Sequence, residues 1–233
     1  MINNSTIAKE WDNIVSLRVD DFKNKSDYSY ENILKPCFVD LIKDGNSSNV
    51  LDFGCGSGYL TNEIAKYCDK VVGIDISQMS INAAKENFQS DNIEYKMCNI
   101  TNYKAIEKFP LIISNMVLMD AIDLNDIFKS VYDLLENNGR FIFTITHPAF
   151  WPIYKEYHLE KEFDYLKTIS HTTDFKITNK IYEGCQTTHI HRPIQEYIKI
   201  AIKNNFKLND LRELKDDCNK FWYPRFILFE FTK

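Results

Sequence analysis

Val50-Leu51-Asp52-Phe53-Gly54-Cys55-Gly56-Ser57-Gly58 is the stretch that decides the fold. The chain has 233 residues and only seven glycines, and three of them fall in the last five of these positions. Glycine concentrated this way serves unusual dihedrals or the close approach of a ligand to the backbone. The apolar run at 49–53 reads as a buried strand and 61–68 as a helix, so the glycines occupy a strand-to-helix turn. In an open parallel sheet, ligands bind beyond the carboxyl ends of the strands, where backbone N–H groups open a helix.

The same alternation continues outward. Residues 70–75 form a second strand and 77–88 a helix, 93–98 a third strand, 111–117 a fourth and 125–136 a helix. Asn138-Gly139 reads as a helix stop before a fifth strand at 140–146. Upstream, 28–43 has helical spacing with Pro36 inside it, marking a kink or a first turn, and 1–45 is expected to be a helical cover. Regularity lapses at Pro148. Residues 148–190 are aromatic-rich, with a hairpin expected between 172–178 and 185–191 around Glu183-Gly184. A helix at 193–205 and strands at 206–214 and 225–231 close the chain. These elements predict one α/β domain over 1–233. Its sheet is doubly wound, mostly parallel and seven-stranded, with a lid inserted at 148–190 between the fifth strand and the last helix.

Composition narrows the function. Hydrophobic residues make up 44% and charged residues 26%, as in an ordinary globular protein rather than a disordered one. The net charge of −5 gives no electrostatic case for binding nucleic acid or an anionic membrane. No apolar stretch approaches a membrane span, and the polar residues 1–11 lack a signal-peptide layout. Cys37, Cys55, Cys68, Cys98, Cys185 and Cys218 include no CxxC pair and read as reduced thiols of a cytoplasmic protein. No metal site is expected; His189 and His191 share a strand face without a third ligand in view.

The second strand ends at Asp75, where a carboxylate can accept both hydroxyls of a ribose. A dinucleotide fold prefers G-x-G-x-x-G, whereas this loop is G-x-G-x-G with an Asp before it and Tyr59 after it. That arrangement resembles the first motif of class I S-adenosylmethionine-dependent methyltransferases. Val72-Gly73-Ile74-Asp75-Ile76-Ser77, Lys96-Met97-Cys98-Asn99-Ile100, 111–118 and 134–146 resemble that family's later motifs in order. The resemblance implies S-adenosylmethionine as cofactor. Gly54 and Gly56 would line its methionine half, Asp52 would order the loop, and Asp75 would bind the ribose. Ile76 and Met79 would pack on the adenine, and Ile100 would lie beside it. Asn99 stands where many relatives carry Asp, with an oxygen able to accept from the adenine amino group. Asn115 and Met116 would lie under the methionine moiety.

The acceptor is less defined. The block Ser114-Asn115-Met116-Val117 lacks the N/D-P-P-Y/F pattern of base-amine methyltransferases, and no Pro-Cys nucleophile for pyrimidine C5 is present. Lys and Arg match Asp and Glu over 148–192, six of each, which leaves no basic track for phosphates. A small-molecule acceptor under the lid is therefore expected, with no nucleic-acid or membrane partner. Thr146-His147-Pro148-Ala149-Phe150 and His191-Arg192-Pro193-Ile194-Gln195-Glu196-Tyr197 resemble the small-molecule branch. His147, at the end of the fifth strand, is the expected base, and Asp120 the weaker candidate. Three alternatives stay open: an NAD(P)-dependent oxidoreductase, a nucleic-acid methyltransferase and a non-catalytic cofactor-binding protein.

Overall fold

The computed structural model describes residues 2–43, 48–178, 180–215 and 221–233. Nine strands form two sheets among these residues. β1 (Asn49–Phe53), β2 (Lys70–Asp75), β3 (Ile93–Met97), β4 (Phe109–Asn115), β5 (Leu135–Thr146), β8 (Lys207–Leu214) and β9 (Phe226–Thr232) make the central sheet. Its order is β3-β2-β1-β4-β5-β9-β8. β1 to β5 run parallel, while β9 is antiparallel to both β5 and β8. The seven-stranded, mostly parallel sheet is therefore as expected. The order reverses between β1 and β4, which puts a switch point at their carboxyl ends, where a crevice opens.

The strands are apolar because both faces are covered. Val50, Leu51, Ile112, Ile113, Phe141, Ile142 and Phe143 are all buried. α5 (Leu124–Leu134) lays Leu124, Ile127, Phe128, Val131 and Leu134 on one face, and Phe128 meets Phe141 and Phe143 edge-on. Asp123 caps its first turn by accepting from the Asp126 N–H. α3 (Tyr59–Ile64), α4 (Gln78–Asn87) and α6 (Ile194–Lys203) complete the windings.

The N-terminal segment forms α1 (Asn4–Lys23), capped by Asn3. Ile7, Ile14, Val15 and Val19 supply its buried stripe. Pro36 lies in the first turn of α2 (Lys35–Lys43), just after a π-helical turn over Tyr30–Leu34. The Lys35 N–H reaches back to the Tyr30 carbonyl, and this wide turn absorbs the N–H that Pro36 lacks.

Two expectations are corrected. Asn138-Gly139 does not end a helix: α5 stops at Leu134, and β5 runs through both residues. Asn138 takes a left-handed φ of 63°, and the pairing of β5 with β4 shifts register there, so the pair makes an irregularity inside a strand. The hairpin exists, as β6 (Ile169–Ile177) and β7 (Lys180–His191), but Glu183-Gly184 is not its turn. Gly184 sits within β7 opposite a register shift between Asp174 and Phe175, and its N–H donates to Asp174. A turn dipeptide and a bulge glycine look alike in sequence.

The hairpin packs on α1. The Thr188 backbone N–H and hydroxyl donate to the two Glu10 carboxylate oxygens at 2.8 Å each, and Trp11 meets Phe175 edge-on at 5.8 Å. Cys37, Cys55, Cys68, Cys98 and Cys185 are free thiols, and Cys218 lies outside the described residues. Among the described residues, no helix is long and apolar enough to cross a membrane.

Candidate active site

A cavity of about 300 Å³ opens at the switch point. Its floor is the glycine turn. Gly54 has φ 73°, and a Cβ there would fall 2.2 Å from Val117 Cγ2, so only glycine fits. Gly56 has φ 53°, and a Cβ there would meet nothing within 4 Å, so its backbone lies open to a ligand. Asp75 fixes this loop: its carboxylate accepts from the Gly56 N–H at 2.9 Å and the Ser77 N–H at 2.8 Å. Burial raises its pKa, and the two N–H bonds pull the other way. Asp52 is almost fully buried under the loop and accepts from the Thr61 hydroxyl at 2.7 Å. Burial pushes its pKa up to about 7.

Of the residues expected to hold the cofactor, Asp52, Gly54, Gly56, Asp75, Ile76, Asn99, Ile100, Asn115 and Met116 line the cavity together. Met79 does not. It is half exposed on α4, and its backbone N–H donates to Asp12 of α1. Helical phase turns it outward from the position Ile76 holds. Asn99 lines the wall, but its amide oxygen accepts from both the Thr101 N–H and the Thr101 hydroxyl. That oxygen caps a short turn instead of facing an adenine amino group, as a residue favoured at caps readily does. Met116 has φ 59°, a strained backbone for a non-glycine residue, at the end of β4. Asn115 beside it accepts from the Thr144 hydroxyl at 2.8 Å.

The other wall comes from α1, the π turn, the ends of β5 and β9, and the segment at 148–190. Trp11, Tyr30, Asp120, Thr146, Trp151, Tyr154, Lys155, His189 and Arg225 all contribute. Two of their oxygens, the Tyr30 hydroxyl and Thr146 Oγ1, are buried without a hydrogen-bond partner. Asp120 Oδ1 lies 3.9 Å from His189 Nδ1, and Trp11 donates to Asp120. Burial raises the Asp120 pKa well above its ordinary value and pushes His189 down to about 3. The Asp120 loop is pinned from below: Arg192 donates to the carbonyls of Leu118, Ala121 and Ile122, and the Ile190 N–H to Met119.

His147 does not belong to this wall. Alternation along β5 turns Thr146 to the cavity and His147 away from it. Its Nδ1 accepts from the Ala149 N–H at 3.2 Å, so Nε2 carries the hydrogen and donates to Glu213 at 2.9 Å. With both nitrogens engaged and the ring buried, His147 ties the end of β5 to β8. Glu10, Trp11, Tyr30, Lys155 and Arg225 escape sequence reasoning, because they come from four separate segments. The helical stripe at 7–19 is the available signal for α1.

A doubly wound sheet with a glycine turn, an acidic second strand end and a covered crevice defines a nucleoside-cofactor enzyme of the methyltransferase type. The chain belongs to the methyltransferase domain family, whose sequence profile matches residues 44–207. A Bacillus anthracis malonyl-[acyl-carrier protein] O-methyltransferase is 25% identical over 194 residues, covering 82% of this chain and 69% of that protein. A Listeria monocytogenes structure assigned to the S-adenosylmethionine-dependent methyltransferases superposes with a TM-score of 0.69 at 26% identity. It spans 85% of this chain and 97% of its own. The N-methyltransferase NodS of Bradyrhizobium japonicum, solved with S-adenosylhomocysteine, shares the fold at 15% identity and TM-score 0.58, covering 84% of each chain. The protein is a class I S-adenosylmethionine-dependent methyltransferase, and the oxidoreductase alternative is set aside.

Proposed function

We propose that the chain methylates a small-molecule acceptor held between the β5–β9 strand ends and the cover made by α1 and the hairpin. The observation that carries this reading is the pair of buried, unpartnered oxygens of Tyr30 and Thr146 on the cavity wall. A buried polar atom left without a partner is costly, and a polar ligand in the cavity relieves that cost.

The donor set fits the cofactor. Gly56 offers open backbone, Asp75 a carboxylate for ribose hydroxyls, and Asn115 and Met116 the surface under the methionine half. When bound, S-adenosylmethionine supplies an electrophilic methyl group on a sulfonium. The chain's own residues then align the acceptor and exclude water. Trp11, Trp151, Tyr154 and Phe175 wall the cavity with apolar surface. A proton released by the acceptor atom passes to Asp120, whose burial raises its pKa and lets it hold that proton, with the neutral His189 imidazole 3.9 Å away.

The test is methyl transfer from labelled cofactor into an extract of the source organism, separated afterwards by size. Label in the small-molecule fraction is expected. Label confined to protein or nucleic acid overturns the reading, and label on a carrier protein would match the acceptor in the name of the Bacillus relative.

A further inference from the structure

We propose that the acceptor carries an anionic group, a carboxylate or a phosphate, that docks against Arg225 and Lys155 at the hairpin end of the cavity. The proposal rests on the small-molecule reading above and specifies its substrate class.

Arg225 precedes β9 and is 3% exposed. Its carbonyl accepts from the His147 N–H at 2.8 Å, which sets it beside Thr146 at the end of β5, across the cavity from Asp75. Its guanidinium donates to the Ser29 hydroxyl at 2.8 Å and the Thr178 hydroxyl at 3.1 Å. The rings of Phe221, Tyr154 and Phe226 surround it at 4.3, 5.2 and 5.2 Å. All of these neighbours are neutral. Among the described residues, no carboxylate lies within 4 Å of it.

The other arginines near the site show what compensation looks like. Arg18 also lines the cavity, but it pairs with Asp21 at 3.1 Å and Asp27 at 2.7 Å. Arg192 is spent on three main-chain carbonyls and lies outside the lining. The acids of the wall are also taken. Asp27 holds Arg18 and Asp120 holds Trp11.

Lys155 repeats the pattern independently. It is half-buried on the same wall, and among the described residues its Nζ donates only to the Thr173 hydroxyl at 3.3 Å and the Asp174 carbonyl at 3.1 Å. Lys176 adds a third cation, its Nζ 4.4 Å from the centre of the Tyr154 ring that Arg225 also faces. Three cations gather here with no ion pair to them within 4 Å among the described residues; the Asp174 charge offsets Lys155 in part, and burial removes from Arg225 the water that would screen it. An anion in the cavity supplies what the chain does not. A guanidinium recognises carboxylate or phosphate through charge-assisted hydrogen bonds.

The experiment uses the full chain saturated with S-adenosylhomocysteine. Malonate, inorganic phosphate and uncharged malonamide are titrated into it by calorimetry. Binding of malonate or phosphate but not of malonamide is expected, and the tighter anion tells carboxylate from phosphate. Lys155→Met and Arg225→Gln should each weaken anion binding about tenfold or more while the homocysteine cofactor binds as before. Lys155→Met keeps the test decisive if Arg225→Gln fails to fold. Equal binding of malonamide, no anion binding, or anion binding unchanged in Lys155→Met overturns the proposal. Fractionating the extract on an anion exchanger before the labelling reaction separates this failure from that of the parent reading. Acceptor activity in the unretained small molecules overturns the anionic group alone, whereas label confined to macromolecules overturns the small-molecule reading itself.

Discussion

The two walls of the cavity are built differently. The cofactor wall is made by four consecutive strand ends, from Gly54 to Asn115, and much of it is backbone. Its chemistry follows from local dihedrals, such as φ 73° at Gly54, and from one carboxylate, Asp75, that binds the loop it faces. The acceptor wall is made by side chains from α1, the π turn, β5, the hairpin and β9, brought together over almost the whole chain. A wall of backbone can serve one ligand in many proteins, whereas a wall of side chains is free to change with the acceptor.

The sharpest break between the walls is expected at the histidines. His189→Ala and Asp120→Asn should each lower kcat about 10²-fold or more, with cofactor affinity unchanged. His147→Ala should lower Tm through the lost Glu213 and Ala149 bonds yet change kcat less than about threefold. Steady-state kinetics with thermal melts checks both, and the reverse order would return His147 to the chemistry.

Asp75→Ala comes next. Removing the carboxylate frees the Gly56 and Ser77 N–H groups and deletes the ribose partner, so affinity for S-adenosylhomocysteine should fall at least about tenfold by calorimetry. The acceptor wall should keep its structure, visible as unchanged near-ultraviolet circular dichroism from Trp11 and Trp151.

Gly54→Ala should destabilise the fold by about 1–3 kcal/mol in denaturant melts, because a left-handed φ and a collision with Val117 act together. Gly56→Ala carries the left-handed strain without the collision and should cost less.

A further prediction concerns pH. Asp52 has its pKa raised by burial from 3.8 to about 7, so the folded state binds a proton more tightly than the unfolded one. Its contribution to stability is then fully present below the unfolded pKa and is lost as pH rises to about 7. Relative to Asp52→Asn, the wild-type Tm should decline across that window and level off above it. A parallel pair of curves would mean that Asp52 titrates normally.

This difference between the walls also explains what the sequence discloses. Sheet, windings and glycine turn are legible because strand periodicity and the Gly54–Gly58 spacing are local signals. Asp75 is legible because a strand end fixes its place. Met79 lies outside the cavity lining, half exposed on α4, because the helix begins just after Ser77. Asn99 has two uses for one oxygen, and the local cap takes it. His147 stands at the right strand end on the wrong face, since one residue of alternation separates it from Thr146. Arg225 leaves no signal, because its significance lies in the acid that is missing among its described neighbours, and only a folded chain brings those together.

The most direct test of this two-walled account is the crystal structure of the complex with S-adenosylhomocysteine. The account predicts ribose hydroxyls on Asp75, the homocysteine half over Gly54 and Gly56, and Thr146, His189 and Arg225 facing the remaining space untouched by the cofactor. A homocysteine carboxylate seated on Arg225 would contradict it, because the cation assigned to the acceptor would then belong to the cofactor.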